Sequence, residues 1–301
     1  MTSKQTTPSR PPLPSAPSPR LNTTLTSFLL ALSSLLLAIF IFNRGKNDSP
    51  PIFSLAILDN PSFLSAISRT YPTSEQNIVA GVVPHHALAG ELIGGFFSAL
   101  PKPRTIVILG PNHAESGSAN IQASDYIWET PVGSVETDLT LLANLGTSVP
   151  ITTNNQVVSS DQSIVTLIPY LAHYLPGVKV VPLVLKYTTL EEECLALAKA
   201  LSALPDVLVV GSIDFAHNLD SKTSEKNSNI VLSSIKNRNY EDILSMQSDY
   251  LDSPPSLVTV LMYADLLGSG RMEILASADS GDFDSPYSPG TGYLSLVFYA
   301  K

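Results

Sequence analysis

One segment restricts the fold of this chain more than any other: Ile78–His113, IVAGVVPHHALAGELIGGFFSALPKPRTIVILGPNH. Ile78–Val83 is a short apolar run ended by Pro84, which suits a strand buried on both faces better than one alternating between core and solvent. Ala87–Leu100 carries Leu88, Leu92, Ile93, Phe96, Phe97 and Leu100 at helical spacing, and Pro101 and Pro103 stop it. Thr105–Leu109 is a second β-branched run, turned by Gly110-Pro111-Asn112-His113. Strand, helix and strand in this order form a βαβ unit. In open α/β sheets, ligands gather outside the carboxyl ends of the strands. Both strands lead into a histidine, so His85 and His113 are aimed at one cleft.

The rest of the pattern extends that unit. Asn120–Ser124, Val178–Leu185, Val207–Ile213, Arg271–Ser277 and Gly292–Tyr299 read as strands, with Pro182 marking a bulge or an edge. Thr130–Gly133 reads as a turn. Helical patterns cover part of Ile52–Arg69, then Glu136–Leu145, Asp161–Tyr174, Thr189–Leu204 (Thr189 as N-cap), Ser224–Ile235, Tyr240–Ser248 and Ser256–Leu267. Alternating strands and helices predict a three-layer α/β/α domain over residues 52–301 with a mostly parallel, mixed central sheet.

Ahead of it, residues 1–24 form a Pro/Ser-rich tail of disordered composition. Leu25–Phe42 is an uncharged run of 18 residues, about 27 Å long as a helix and close to the ~30 Å hydrocarbon core. It reads as one transmembrane helix, making the chain a single-pass membrane protein with residues 43–51 as linker. Before residue 50 lie five basic residues and one acidic; the remainder holds 12 basic and 25 acidic residues, a net charge of −13. That charge favours an extracytoplasmic domain and argues against nucleic-acid partners, which need a basic surface. The one cysteine, Cys194, sits in a helical pattern as a small buried hydrophobe, so neither a disulfide framework nor a thiolate cluster is available.

Three of the five histidines, His85, His113 and His217, follow buried strands. Imidazole ligates iron, zinc, copper and nickel, and two histidines with one carboxylate make a facial site with open positions. His85 and His113 are the expected imidazole ligands. Asp252 is the first choice of carboxylate, although it also suits an N-cap before Ser256, and Asp214 is the second. His217 is the expected acid/base residue, with Asp214 fixing its tautomer. No P-loop or dinucleotide-binding glycine pattern occurs, and Ser280 and Ser295 lack a nucleophile-elbow context.

The segments VVPHHALAG, ILGPNHAESG, TPVGSVETD, SIDFAHN and GYLSLVFY, in that order, resemble the MEMO-like family, whose bacterial members are called AmmeMemoRadiSam system protein B. That family is similar to class III extradiol dioxygenases of the LigB-like type, and the resemblance covers roughly residues 75–300. It implies a LigB-like α/β fold, metal ligands at His85 and His113, and an acid/base or supporting role for His217. The family's MEMO branch is expected to use a cysteine as third ligand; this chain reads LDSPPS there, so Asp252 is the substitute, closer to the dioxygenases' carboxylate. Many relatives carry Glu-His before the Ser-Ile of the middle helix. Asp161-Gln162-Ser163-Ile164 stands there here, which is expected to remove a polar pair from the cleft.

Three functions follow from these readings. The first is a non-haem Fe(II) redox enzyme of extradiol type, with copper or zinc as other metals the ligands accept. The second is a non-catalytic module holding a peptide or anionic small molecule in the same cleft. The third is metal-dependent hydrolysis through a bound water.

Overall fold

A computed structural model describes residues 49–55, 61–69, 77–283 and 290–300. The strands are β1 (Ile52–Ser54), β2 (Ile78–Val83), β3 (Thr105–Pro111), β4 (Ile121–Ala123), β5 (Ile127–Thr130), β6 (Gly133–Glu136), β7 (Ile151–Thr153), β8 (Lys179–Leu185), β9 (Val207–Ser212), β10 (Phe215–Leu219), β11 (Arg271–Asp279) and β12 (Gly290–Tyr299). The helices are α1 (Pro61–Ile67), α2 (Gly90–Ala99), α3 (Leu139–Leu145), α4 (Asn155–Ser160), α5 (Gln162–Val165), α6 (Ile168–Tyr174), α7 (Glu191–Ser202), α8 (Ser221–Asn237), α9 (Tyr240–Ser245) and α10 (Pro254–Leu266).

Nine strands form a mixed sheet in the order β10-β12-β2-β9-β3-β8-β4-β7, with β11 on the other edge of β12. Its centre, β2-β9-β3-β8, is parallel. Along β3, Ile106 and Ile108 enter one apolar layer while Val107 and Leu109 enter the other, as the two-residue strand period requires. The first layer is closed by Phe63, Phe96, Phe97 and Ile168, the second by α7, α8 and α10. This is the expected three-layer α/β/α arrangement. Helix α10 is buried on all sides from Pro254 to Ala264, which explains its unbroken apolar sequence. A separate small sheet pairs β1, β5 and β6, and the Thr130–Gly133 turn is the tip of its hairpin.

Several local expectations change. Strand β8 lies inside the sheet, in unbroken register with β3, so Pro182 marks neither edge nor bulge. The Lys179 N–H bonds toward β3, and Val180 accepts from Asp138 N–H on the opposite side. The nitrogen of Pro182 therefore faces away from β3, just beyond the end of β4 at Ala123↔Leu183, where no ladder bond is lost. Glu136 ends β6, and α3 starts only after Asp138, whose carboxylate accepts the Leu141 N–H at 3.0 Å. Residues 161–174 divide into α5 and α6, with Pro169 at the start of the second. Thr189 is not the cap of α7: its hydroxyl bonds Lys186 O at 2.7 Å, and the Glu193 carboxylate accepts the Leu190 N–H at 2.9 Å.

The expected transmembrane run, residues 25–42, lies outside the described residues. Among the described residues no helix is long and apolar enough to cross a membrane. The longest, α8, has 17 residues and one buried face, whereas a span needs about 20 apolar residues.

Candidate metal centre

Pairing of Val83 with Ser212 and of Leu109 with Gly211 sets the carboxyl ends of β2, β9 and β3 side by side. The chain turns at each end, and the side chains that follow meet. The His85 and His113 rings pack edge to face with centroids 5.3 Å apart. Asp252 Oδ2 lies 3.3 Å from His85 Nε2, 3.9 Å from His113 Nε2 and 3.5 Å from His217 Nε2. Asp252 reaches this position because it precedes α10 rather than capping it; Ser253 occupies the cap.

The outward-facing nitrogens decide what the inward-facing ones can do. The Ser212 hydroxyl donates to Ser163 O at 2.6 Å, so its oxygen accepts at 3.2 Å from His85 Nδ1–H. Asp161 accepts from His113 Nδ1–H at 2.9 Å and from the His113 backbone N–H at 2.9 Å. Both imidazoles therefore present the Nε2 lone pair to the cleft. Two lone pairs facing a carboxylate oxygen repel unless a positive charge lies among them. His217 Nε2 adds a buried nitrogen with no hydrogen-bond partner. The donor set of two imidazoles and a carboxylate, with ligand atoms all within 4.8 Å of one another, fits a divalent cation. Asp214, His217 and Asp252 form an overlapping second group.

Asp214 does a different job from the one expected of it. Its Oδ1 accepts the backbone N–H groups of His85 at 3.0 Å and His86 at 3.4 Å, holding the Pro-His-His turn. The carboxylate beside the His217 ring is Asp252. His217 follows the end of β9 as expected, and lies within β10 between Ala216 and Asn218, which have φ of 50° and 59°. Left-handed backbone at non-glycine residues costs about 1 kcal/mol each and is retained where a side chain must be aimed. His86 turns its Nδ1 to the Tyr293 hydroxyl instead of the cleft.

Electrostatics follow the geometry. Burial opposes protonation of His113, but the Asp161 hydrogen bond and charge, with Asp252 and Asp214, outweigh it and raise its pKa. Burial likewise opposes protonation of His217, and Asp252 and Asp214 raise it. Burial alone would raise Asp161; the His113 contacts and Ser163 bring it below the ordinary carboxylate value.

Asp161 and Ser212 escaped sequence reading. The substitution at 161–162 leaves polar groups in the cleft, since Asp161 is a direct partner of His113. Gly110 makes this possible: a Cβ there would lie 2.2 Å from Ser163 Oγ, so only glycine lets the start of α5 close on β3.

Fold and site together define a three-layer α/β protein with a candidate mononuclear metal centre at the carboxyl edge of its sheet. The family model described as Memo-like protein matches residues 60–297, and the chain belongs to that family. A MEMO1 family protein of Archaeoglobus fulgidus is 28% identical over 252 residues, covering 79% of this chain and 94% of the relative. One of Caldivirga maquilingensis is 28% identical over 243 residues, covering 75% and 85%. The crystal structure of an uncharacterized protein from Escherichia coli K12 aligns with a TM-score of 0.53 at 14% identity, covering 73% of this chain and 99% of that one, a likeness of fold. The family match lies wholly outside residues 25–42. The single-pass, extracytoplasmic localisation expected from the sequence is corrected: among the described residues no helix is long and apolar enough to cross a membrane, and the matching relatives are archaeal MEMO1 family proteins.

Proposed function

We propose that this chain is a metal-dependent redox enzyme in which His85, His113 and Asp252 hold ferrous iron and His217 carries protons for the oxidation of a chelating phenol by dioxygen. One observation carries the reading: the Nε2 atoms of His85 and His113, each turned inward by the hydrogen bond its Nδ1 makes, converge on a carboxylate oxygen of Asp252. Bound there, ferrous iron supplies the electron-transfer chemistry that reaction of such a phenol with dioxygen requires. Ser212 and Asp161 keep the two ligand rings in the Nε2-acceptor tautomer. Asp214 fixes the turn that carries His85. His217, beside Asp252 at 3.5 Å, takes the proton of a substrate hydroxyl at Nε2 and returns it to product.

The test is metal analysis of the full chain purified without oxygen. About one iron per chain is expected, lost in the His85→Ala/His113→Ala double variant. His217→Gln is expected to keep its iron and consume oxygen about 100-fold more slowly with catechol. A metal-free protein that binds peptide through the cleft, or a zinc protein with hydrolytic activity, overturns the redox reading.

A further inference from the structure

His85, His113 and Asp252 stand at the corners of a triangle, and hydrogen bonds behind the centre tie two of its edges. From His85 Nδ1–H the path to His113 runs through the Ser212 hydroxyl, the Ser163 carbonyl and hydroxyl, and the Asp161 carboxylate. Asp214 joins His85 to Asp252: its carboxylate accepts the His85 N–H at 3.0 Å, and its backbone carbonyl accepts the Asp252 N–H at 3.1 Å. The third edge, from His113 to Asp252, is spanned by Tyr187, which the function above does not use.

Tyr187 follows β8 and bonds both loops that carry those two ligands. Its backbone N–H donates to Glu115 Oε1 at 2.8 Å, in the turn that holds His113. Its phenol donates to the Met246 carbonyl at 3.0 Å and the Leu251 carbonyl at 3.2 Å, and Leu251 immediately precedes Asp252. Among the described residues, Tyr187 alone hydrogen-bonds both loops. Glu115 has a φ of 48°, left-handed backbone that a non-glycine residue keeps where its side chain must be aimed. Burial, with the charges of Asp252, Asp249 and Glu115, pushes the phenol up to about 12, so it remains a donor at any working pH. Without it, the bonds that hold residues 248–252 to other elements run to Asp214, β10 and Asn227 of α8, and none to the His113 turn.

We infer that Tyr187 is a positioning residue of the metal centre: its hydroxyl fixes the Asp252 carboxylate at the spacing from the His113 ring that a shared cation needs. The assignment rests on the metal reading above.

Tyr187→Phe removes the hydroxyl and keeps the ring, so the surrounding packing is retained. Zinc affinity of the full chain is measured by competition with a chromophoric chelator. Tyr187→Phe is expected to bind zinc about tenfold more weakly than the parent. Its cobalt(II) form is expected to show an altered visible absorption, which follows the arrangement of ligands around the metal and not the stability of the fold. Adding Tyr187→Phe to Asp252→Ala is expected to make no further difference, because the route to the metal is gone. Added to Asp161→Ala it is expected to cost about tenfold again, because Asp161 acts on another edge of the triangle. Unchanged affinity and spectrum in Tyr187→Phe, or the same loss with and without the Asp252 side chain, overturn the positioning role while the metal centre stands. A parent chain that takes up no zinc overturns the metal reading and this one with it.

Discussion

At His85 and His113 the nitrogen turned away from the cleft sets the chemistry of the one turned towards it. Asp161 is the stronger of the two outward partners, because it is charged and bonds both the ring and the backbone of His113. Asp161→Ala is expected to weaken zinc or iron binding about 10–100-fold, measured by competition with a chromophoric chelator; unchanged affinity would contradict the tautomer assignment. The same charges give a pH signature. His113 and His217 are raised in the cation-free protein, so their protonated forms add stability that is complete below the unfolded value of about 6.5 and lost as pH rises through the folded pKa. The cation-free unfolding midpoint is expected to fall as pH rises from about 6.5 through the folded pKa values, while metal affinity climbs over the same window because protons stop competing. A cation-free midpoint that rises there would contradict the shifts. Of these residues, His85, His113, His217 and Asp252 were legible because strand ends and a helix start announce themselves in sequence. Ser212 and Asp161 were not: Ser212 reaches His85 through the sheet register, and Asp161 reaches His113 across 48 positions.

Elements bring those residues together through close approaches that only particular side chains allow. Helix α5 has four residues, yet it delivers both Ser163 and Asp161 because Gly110 leaves room for it. Gly110→Ala would put a methyl 2.2 Å from Ser163 Oγ, and forcing α5 outward is expected to cost about 1–3 kcal/mol and to weaken metal binding in parallel. Chemical denaturation together with a metal titration checks both; a variant as stable and as tight as the parent would show that α5 does not set the site. Long or fully buried runs such as Ile78–Val83, Thr105–Leu109 and Val207–Ser212 were readable because strands covered on both faces are continuous in apolar residues. Strands β5, β6 and β7 and helix α4, of three to six residues, are too short to show a period. Pro182 misled because its missing donor matters only on the side where a neighbour pairs.

At the scale of the molecule, the parallel centre of the sheet gathers the ends of its strands at one edge, and the turns there carry His85, His113 and Asp214. The layers above and below are apolar and provide rigidity; the cleft concentrates Asp161, Asp214 and Asp252 around three imidazoles. The acidic balance of the domain complements a cation in that cleft, and membership of the Memo-like family over residues 60–297 covers every residue of the site. A cation bound only by the folded state adds about 2.7 kcal/mol of stability at a hundredfold excess over its dissociation constant, so zinc is expected to raise the unfolding midpoint of the parent chain and leave that of His85→Ala/His113→Ala unchanged. The central claim is that one cation sits among His85, His113 and Asp252, and an anomalous-scattering map from crystals of the full chain grown with zinc tests it most directly. The expected result is one peak about 2.0–2.2 Å from both Nε2 atoms and the Asp252 carboxylate; a peak elsewhere, or none at saturating zinc, contradicts it.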